Sequence, residues 1–376
     1  MFLSENEKIA RLQLIRSPLI GSVKFRKLIK VYGNAINALK YLPAIFKQSK
    51  KNKDFKIYSE SLAKAELEDA FDKDINAVFL FDDFYPKTLE KIEGASPVLF
   101  VKSRNLSALK DINSVAIVGT RNSTLPAEKF CIELSEDLAK DDICVVSGLA
   151  VGVDSSAHRG ALNKGKNFPT VAVLAGGVDV VYPSKNRFLY DEIIEKNGAV
   201  ISDMPCGTQP SANLFPVRNK IIAGLSRGVV VVEAKAKSGS LITAEMAKEY
   251  GRAVMAVPGF PTDERAKGPN LLLKQGAALI ESANDVKNAL INIRAEEKVS
   301  SYDFFEINEC DSAPLFENIE SVKALILSKL TKTPVEIDDL VAALNIDVAL
   351  VLRALLELEL VDLVVSLPQN RVSKSM

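Results

Sequence analysis

Between residues 110 and 293, short apolar runs alternate with amphipathic stretches along the chain. The apolar runs are VAIVG, ICVVSG, TVAVLAGG, AVISD, GVVVVEA, AVMAVPG and ALIES. Between them lie segments with helical spacing of apolar residues, such as AEKFCIELSEDLAK and LITAEMAKEYG. Apolar runs without two-residue alternation predict strands buried on both faces, as in a parallel sheet covered by helices. Because the connections are long enough for right-handed crossovers, we expect a doubly wound α/β domain.

The first 60 residues interleave lysine and arginine with apolar positions at helical spacing. ENEKIARLQLIR predicts one helix, and SVKFRKLIKVY predicts a second that ends at Gly33. Asn34 is expected to cap a third helix, AINALKYL, which should end before Pro43. Small helical modules contact DNA backbones in some proteins and dock onto other proteins elsewhere, so both roles stay open. We expect residues 61–109 to connect this module to the core.

The C-terminal part of the chain predicts a separate domain. Residues 294–317 are polar and lack periodicity, which is typical of a linker. Residues 318–376 predict three helices and a β-hairpin, the element order of a winged-helix domain. Its third helix, Asp347 to Leu360, carries one arginine and three acidic residues. Phosphates would repel such a helix, so we expect it to pack on protein instead of reading DNA.

The charge is unevenly distributed along this chain of 376 residues, whose formal net charge is zero. Residues 1–56 hold 13 basic and 3 acidic residues, whereas residues 293–376 hold 8 basic and 15 acidic ones. A basic end suggests contact with a polyanion, and an acidic end suggests the opposite. Two solvated surfaces would explain the same charges equally well.

Other features of the composition exclude several classes of protein. No stretch approaches the roughly 18 apolar residues of a membrane span, and the N-terminus lacks the apolar core of a signal peptide. The four cysteines form no CxxC pair, and the chain has a single histidine, His158. We therefore expect neither disulfides nor a zinc site, and the best assignment is a reducing cytoplasm.

Candidate chemistry lies in the loops that follow the predicted strands, because open parallel sheets bind ligands at the carboxyl ends of their strands. Glycines there let a ligand approach the backbone, and cations accompany them. The cations are Arg121, Lys185, Arg187, Arg218, Lys220 and Lys237. Cations spread over several loops suit the successive phosphates of a nucleic-acid strand better than a single pyrophosphate. Any single loop could equally be a tight turn with a surface ion pair. We see no Ser-His-Asp spacing or metal-ligand cluster, so we predict neither catalytic residues nor a metal site.

The chain resembles the bacterial DNA-processing protein A (DprA/Smf) family in several stretches, in order and at matching spacing, over about residues 110–282. These stretches are VAIVGTR, VVSGLAVGVDSSAHRGAL, VAVLAGGVDVVYPSKNRFLY, FPVRNKIIAGLSRGVVVVEAKAKSGSLITAEMAKEYGR, VMAVPG and GPNLLLKQGA. The resemblance implies a Rossmann-like domain over residues 110–293, flanked by a sterile-alpha-motif-like helical module and a winged-helix domain.

The resemblance also implies a function. Members of the family bind and protect single-stranded DNA, form homodimers, and load a RecA-type recombinase during natural transformation; they are not known as enzymes and use no cofactor. Arg121, Arg218 and Lys220 match positions associated with the DNA-binding pocket. Gly119, Thr120, Ser147, Gly148 and Asn219 belong to the same motifs, and Phe215 is a candidate for base stacking. Lys185, Arg187 and Lys237 are candidates for further contacts with DNA.

Two other functions stay open. The stretch SGSLITAE echoes a loop of nucleotide-processing hydrolases of the cytokinin-activating phosphoribohydrolase type, although their PGG loop is absent at the equivalent point. Release of a base from a nucleoside monophosphate would identify such an enzyme. The alternative is an interaction scaffold that acts through its acidic C-terminal domain. Deletion of residues 318–376 would test it, because DNA binding would survive while a cellular phenotype is lost.

Overall fold

A computed structural model of the protein describes residues 3–47, 55–297, 319–368 and 370–375. Those from 65 to 297 form one unit, and those from 3 to 64 and from 319 onward form another. The linker was predicted at residues 294–317, and its part from residue 298 onward lies outside the described residues. Its first residues are not a linker but the end of a helix, Ala283–Glu297.

The N-terminal module consists of three helices, α1 (Glu5–Arg16), α2 (Ser22–Tyr32) and α3 (Ala35–Lys47). Gly33 ends α2 with a φ of 77°, and the Asn34 side chain accepts a hydrogen bond from the Asn37 N–H at 2.8 Å, as predicted. The predicted end of α3 before Pro43 is wrong. The helix continues because Ile45 and Phe46 are buried in the next turn, which outweighs the hydrogen bond lost at proline.

In the described part of the unit from 65 to 297, one sheet contains all nine strands. The strands are β1 (Asn76–Phe79), β2 (Val98–Ser103), β3 (Ser114–Val118), β4 (Cys144–Ser147), β5 (Thr170–Val173), β6 (Ala199–Ser202), β7 (Gly228–Val231), β8 (Ala253–Ala256) and β9 (Ala278–Leu279). Their order in the sheet is β1-β2-β6-β5-β4-β3-β7-β8-β9. The seven strands from β3 to β9 are parallel neighbours and correspond to the seven predicted runs. Their near-complete burial in the centre of the sheet confirms the predicted parallel sheet.

The segment 61–109, expected only to connect two domains, extends this sheet. Its strands β1 and β2 pair with each other and β2 pairs with β6, all antiparallel. The run VLFVKS in β2 is apolar enough to be a strand, and four of its side chains are buried. The sheet is therefore mixed, with an antiparallel extension at one edge.

Helices connect the strands and cover the sheet. They are α4 (Glu60–Asp72), α5 (Lys87–Glu90), α6 (Leu125–Lys140), α7 (Val153–Lys164), α8 (Arg187–Glu195), α9 (Leu214–Leu225), α10 (Gly239–Glu249), α11 (Lys267–Lys274) and α12 (Ala283–Glu297), with two short 3-10 helices at Leu106–Leu109 and Ser184–Asn186. Apolar residues of α6, α7 and α12 form one core with the central strands. A parallel sheet with helical crossovers in both directions from β3 is the expected doubly wound arrangement.

The C-terminal residues form the predicted winged helix. Its helices are α13 (Ile319–Lys329), α14 (Ile337–Leu344) and α15 (Val348–Leu360), and its strands are β10 (Val335–Glu336), β11 (Val364–Leu367) and β12 (Arg371–Lys374). Strands β11 and β12 are the predicted hairpin, and β10 adds a third strand beside β12.

The third helix of the winged helix packs on the N-terminal module, in the same unit. Glu357 on α15 is buried and accepts hydrogen bonds from the Tyr32 hydroxyl at 2.8 Å and from Arg353 Nε at 3.0 Å. Its other oxygen lies 2.5 Å from Lys323 Nζ. The Arg353 guanidinium also lies over the rings of Tyr32 and Tyr41, 5.2 and 5.0 Å from their centres. This helix packs on protein, as predicted, and the protein is the chain's own N-terminus.

Candidate nucleic-acid interface

The order of connection reverses at the centre of the sheet, between β3 and β7. From β3 the chain continues to β4 on one side, whereas β7 is followed by β8 on the other side. Sheets of this kind commonly bind ligands at the carboxyl edge near such a reversal.

Glu233, just after β7, holds the loop that follows β3. The Thr120 N–H donates to the Glu233 carbonyl at 2.7 Å. The Glu233 carboxylate accepts hydrogen bonds from the N–H and the hydroxyl of Thr124 at 3.0 and 2.7 Å. The backbone that carries Arg121 is thus fixed at both sides.

A prediction follows from these bonds. Glu233→Ala should lower the free energy of unfolding by about 1.5–3 kcal/mol, because hydrogen bonds to a charged group are lost. Chemical denaturation measures the change, and Glu245→Ala, at an exposed position of α10, is the control that should leave stability unchanged. Equal stability of both variants would show that Glu233 does not hold the loop.

A cleft with about 580 Å³ of empty space, open solvent included, lies at the carboxyl edge of the sheet. It brings together residues from the loops after β3, β4, β5 and β6 and from α9. Five of the candidate residues line it: Arg121, Gly148, Lys185, Phe215 and Arg218. Loops that are far apart in the sequence therefore lie together at the carboxyl edge of the sheet.

Arg218 forms part of the floor of this cleft. It is only 7% exposed, and its Nη1 donates to the carbonyl oxygens of Gly148 at 2.6 Å and Val173 at 2.7 Å. These carbonyls lie at the ends of β4 and β5. Burial lowers the pKa of Arg218, and the nearby carboxylate of Asp154 opposes that shift. The guanidinium thus ties two strand ends together while it carries positive charge under the cleft.

Asp154 is a buried acidic residue near this arginine. Its Oδ2 accepts hydrogen bonds from the N–H groups of Gly148 at 3.1 Å and Ala150 at 3.4 Å. Burial raises the pKa of Asp154, whereas Arg218 and these N–H donors lower it. The positive charge of Arg218 therefore offsets part of the cost of burying the Asp154 carboxylate.

Phe215 provides an aromatic surface between cations. The Cζ atom of Arg121 lies 5.1 Å from the centre of the Phe215 ring, and that of Arg218 lies 5.8 Å from it. The ring of Tyr182 is 6.2 Å away at an angle of 55°. Arginines beside aromatic rings can bind phosphate oxygens and stack on bases. Sequence analysis missed Tyr182, although its neighbour Lys185 was a candidate from the same loop.

Four other candidate residues support the cleft and are not among those that line it. Ser147 is buried and donates its hydroxyl hydrogen to the Ile117 carbonyl at 2.7 Å, which ties β4 to β3. Asn219 accepts from Arg218 Nε at 3.1 Å and donates to the Gly239 carbonyl at 3.2 Å. A Cβ at Gly119 would lie 2.6 Å from Val153 Cγ2, so glycine permits close packing there. Thr120 bonds to Glu233 as described above.

The remaining candidates, Lys220, Arg187 and Lys237, are exposed and also lie outside the lining of the cleft. Arg187 Nε forms an ion pair with Asp191 at 3.2 Å, and its guanidinium lies 5.6 Å from the centre of the Tyr190 ring. DNA contacts by these three residues stay predictions.

His158 is a packing residue near this site. Thr170 donates its hydroxyl hydrogen to the Val145 carbonyl at 2.6 Å, so the short contact of 2.6 Å between Thr170 Oγ1 and His158 Nδ1 places the ring proton on Nδ1. Burial, with a contribution from Arg218, lowers the pKa of His158 to about 3. The ring is therefore neutral at physiological pH.

In the described part of the chain, no group of three or more His, Cys, Asp or Glu side chains is placed to hold a metal ion. Within the same residues, no helix is long and apolar enough to cross a membrane.

The fold and the cleft define a Rossmann-like α/β protein with a helical N-terminal module and a winged helix. The chain belongs to the DNA recombination-mediator protein A family, whose model matches residues 76–291. Residues 5–69 match a DprA-like N-terminal HHH domain, where the resemblance had implied a sterile-alpha-motif-like module. Residues 312–370 match a DprA winged helix domain.

Two relatives support this assignment. The chain is 34% identical over 316 residues to protein Smf of Synechocystis sp., covering 78% of each chain. It is 44% identical over 207 residues to DNA processing protein DprA of Streptococcus pneumoniae, covering 55% of this chain and 71% of that one.

Two solved structures have the same fold over much of the chain. The X-ray structure of S. pneumoniae DprA matches with a TM-score of 0.59 at 33% identity, over 77% of this chain and 98% of that one. A structure of DNA processing protein A from Helicobacter pylori, described for its single-stranded DNA binding mode, matches with a TM-score of 0.51 at 28% identity, over 58% and 96%.

Proposed function

We propose that the protein binds single-stranded DNA, without catalysis, in the cleft at the carboxyl edge of the sheet. The observation that carries this proposal is the convergence of Arg121, Phe215 and Arg218 around one opening. The cations attract phosphates, and the aromatic ring offers a surface on which a base can stack irrespective of sequence. The binding mode reported for the H. pylori relative supports the same ligand class.

The exposed Arg121 provides the direct test. Arg121→Ala should weaken binding to a single-stranded oligonucleotide about tenfold, and the slope of log affinity against log salt should become shallower by about 0.7, because one phosphate contact is lost. Fluorescence anisotropy across a salt series measures both quantities. Arg159→Ala removes the same side chain from an exposed position of α7 outside the cleft and should bind as wild type.

Three results would overturn the assignment. Equal binding of wild type to single strands and duplexes would argue against a single-strand site. Wild-type affinity of Arg121→Ala would place the site elsewhere. Equal losses in Arg121→Ala and Arg159→Ala would show only a general effect of net charge.

We further propose that the protein acts in the cytoplasm as a homodimer that protects incoming single strands and loads a RecA-type recombinase during natural transformation. Membership of the recombination-mediator family supports this role. The sequence resemblance to DprA points the same way. Sedimentation would test the dimer, and recombinase assembly on protein-coated single strands would test loading. Unchanged assembly in the presence of the protein would contradict the loading step.

A further inference from the structure

An exposed aromatic residue, Phe188, follows the stretch of chain that lines the cleft at the carboxyl edge. It is the second residue of α8 and is 80% exposed. It comes three residues after Lys185 and six after Tyr182, both of which line the cleft. The 3-10 helix Ser184–Asn186 leads directly into α8. Because residues three apart in such helices lie on the same side, Phe188 follows Lys185 along one side of the chain.

The backbone around Phe188 is fixed to loops that form the cleft. Asn186 is buried, and its Nδ2 donates to the Leu149 carbonyl at 2.8 Å, in the loop after β4. Tyr190 is also buried and donates its hydroxyl hydrogen to the Val178 carbonyl at 2.9 Å, in the loop after β5. The residues two before and two after Phe188 are thus anchored. The backbone at Phe188 therefore has a fixed position beside the cleft.

The side chains of Lys185 and Phe188 are available to a ligand. Both are exposed, and among the described residues none forms an ion pair with Lys185 or places a ring or guanidinium against Phe188. Arg187, between them, is already paired with Asp191 at 3.2 Å. Tyr182, Lys185 and Phe188 therefore present a ring, a cation and a ring at intervals of three residues. Proteins that bind single strands irrespective of sequence combine cations and aromatic rings in this way.

We propose that Phe188 stacks on a base of single-stranded DNA where the strand leaves the cleft, with Lys185 against the phosphate that precedes this base. The inference rests on the proposed function, because it continues the strand that Phe215 and its neighbouring arginines hold inside the cleft. Every base has a π-face, so the contact requires no particular sequence. Phe188 thereby lengthens the binding site. A strand that ends inside the cleft does not reach the ring, whereas a longer strand does.

The test compares Phe188→Ala with Phe71→Ala, which removes a phenylalanine that is 81% exposed on α4 and does not line the cleft. Anisotropy is measured with single strands of increasing length across a salt series. Phe188→Ala should bind the shortest strands as wild type and the longest about tenfold more weakly, because one stacked base is lost. The salt slope should stay unchanged, because no charge is removed. Phe71→Ala should match wild type at every length.

Two substitutions at the same position identify the contact as stacking. Phe188→Leu keeps an apolar side chain without a π-face and should bind long strands as weakly as Phe188→Ala. Phe188→Trp keeps a ring and should bind them as wild type. Because the chain contains no tryptophan, the fluorescence of this variant reports on position 188 alone. Long strands should quench it, and the shortest strands should not.

The remaining outcomes overturn the proposal. Wild-type binding of long strands by Phe188→Ala would remove the contact, and equal losses in Phe188→Ala and Phe71→Ala would make it unspecific. Full affinity in Phe188→Leu would exclude stacking. Unchanged DNA binding with altered self-association in sedimentation would assign Phe188 to a protein interface. The proposed function fails separately, if wild type does not bind the shortest strands or if Arg121→Ala binds them as wild type.

Discussion

Arg218→Ala should lower the free energy of unfolding by about 3–5 kcal/mol, because two buried carbonyls lose a charged donor and the buried Asp154 carboxylate loses a nearby cation. Asp154 would keep its buried position without the cation that offsets its desolvation. The carbonyls of Gly148 and Val173 would lose their shared donor, and the ends of β4 and β5 would lose the group that joins them. Chemical denaturation at pH 7 measures the effect. Binding of single-stranded DNA should be lost with it, because the floor of the cleft is altered.

The control is Arg121→Ala, which removes the same side chain from an exposed position of the same cleft. It should weaken DNA binding while leaving the free energy of unfolding within about 0.5 kcal/mol of wild type. Equal stability of the two variants would contradict the structural role of Arg218. The pair therefore separates the residue that we propose to contact the ligand from the one that builds the site.

The stability deficit of Arg218→Ala should depend on pH in a defined direction. Burial raises the pKa of Asp154 and Arg218 lowers it, so loss of the arginine raises this pKa further. A carboxyl whose pKa is higher in the folded than in the unfolded state lowers the stability of the fold as pH rises above the unfolded value. The deficit should be largest at neutral pH and smaller at about pH 4, near the unfolded pKa of aspartate, where the protonated form is favoured. A deficit that grows on acidification would exclude Asp154 as its source.

Gly148→Ala should be the second most damaging change, at about 3 kcal/mol, because overpacking and lost hydrogen bonds add together. A Cβ at this position would overlap the guanidinium of Arg218, with Nη2 2.6 Å away. The arginine would have to leave the positions from which it donates to Gly148 and Val173. Thermal or chemical denaturation and oligonucleotide binding should both show the loss.

The matched control is Gly239→Ala, at the first residue of α10. A Cβ there would meet no atom within 4 Å. This variant should have wild-type stability and wild-type DNA binding. If Gly148→Ala also behaved as wild type, the guanidinium would have room to move and the floor of the cleft would not depend on glycine.

The order of the strands could be predicted well, because strands buried on both faces appear in the sequence as continuous apolar runs. Each of the seven apolar runs from VAIVG to ALIES became a strand, and the rule for carboxyl ends located the cleft. Strands β1 and β2 were missed because they lie in a segment of mixed pattern between two recognisable domains. The end of α3 was misplaced because tertiary packing of Phe46 outweighed the local effect of Pro43.

The sequence could not predict which candidate residues are exposed in the cleft and which are buried and build it. Nothing in the sequence distinguishes Arg121 from Arg218 as a candidate. In the structure Arg121 is exposed, whereas Arg218 is buried, with 7% of its surface exposed. Only the approach of α9 to the ends of β4 and β5 decides which arginine is buried. Ser147 likewise lies at the carboxyl end of a strand, as a ligand-binding residue would, but its hydroxyl is used inside the sheet.

The contact between α15 and the N-terminal module can form only late in the synthesis of the chain. The Tyr32 hydroxyl and its acceptor Glu357 are 325 residues apart in the chain. At synthesis rates of about 5–20 residues per second, the acceptor is made about 16–65 s after the tyrosine. Throughout that interval the nascent N-terminal module lacks the helix that covers Tyr32 and Tyr41 in the finished protein. The N-terminal module is thus completed only after the winged helix has been made.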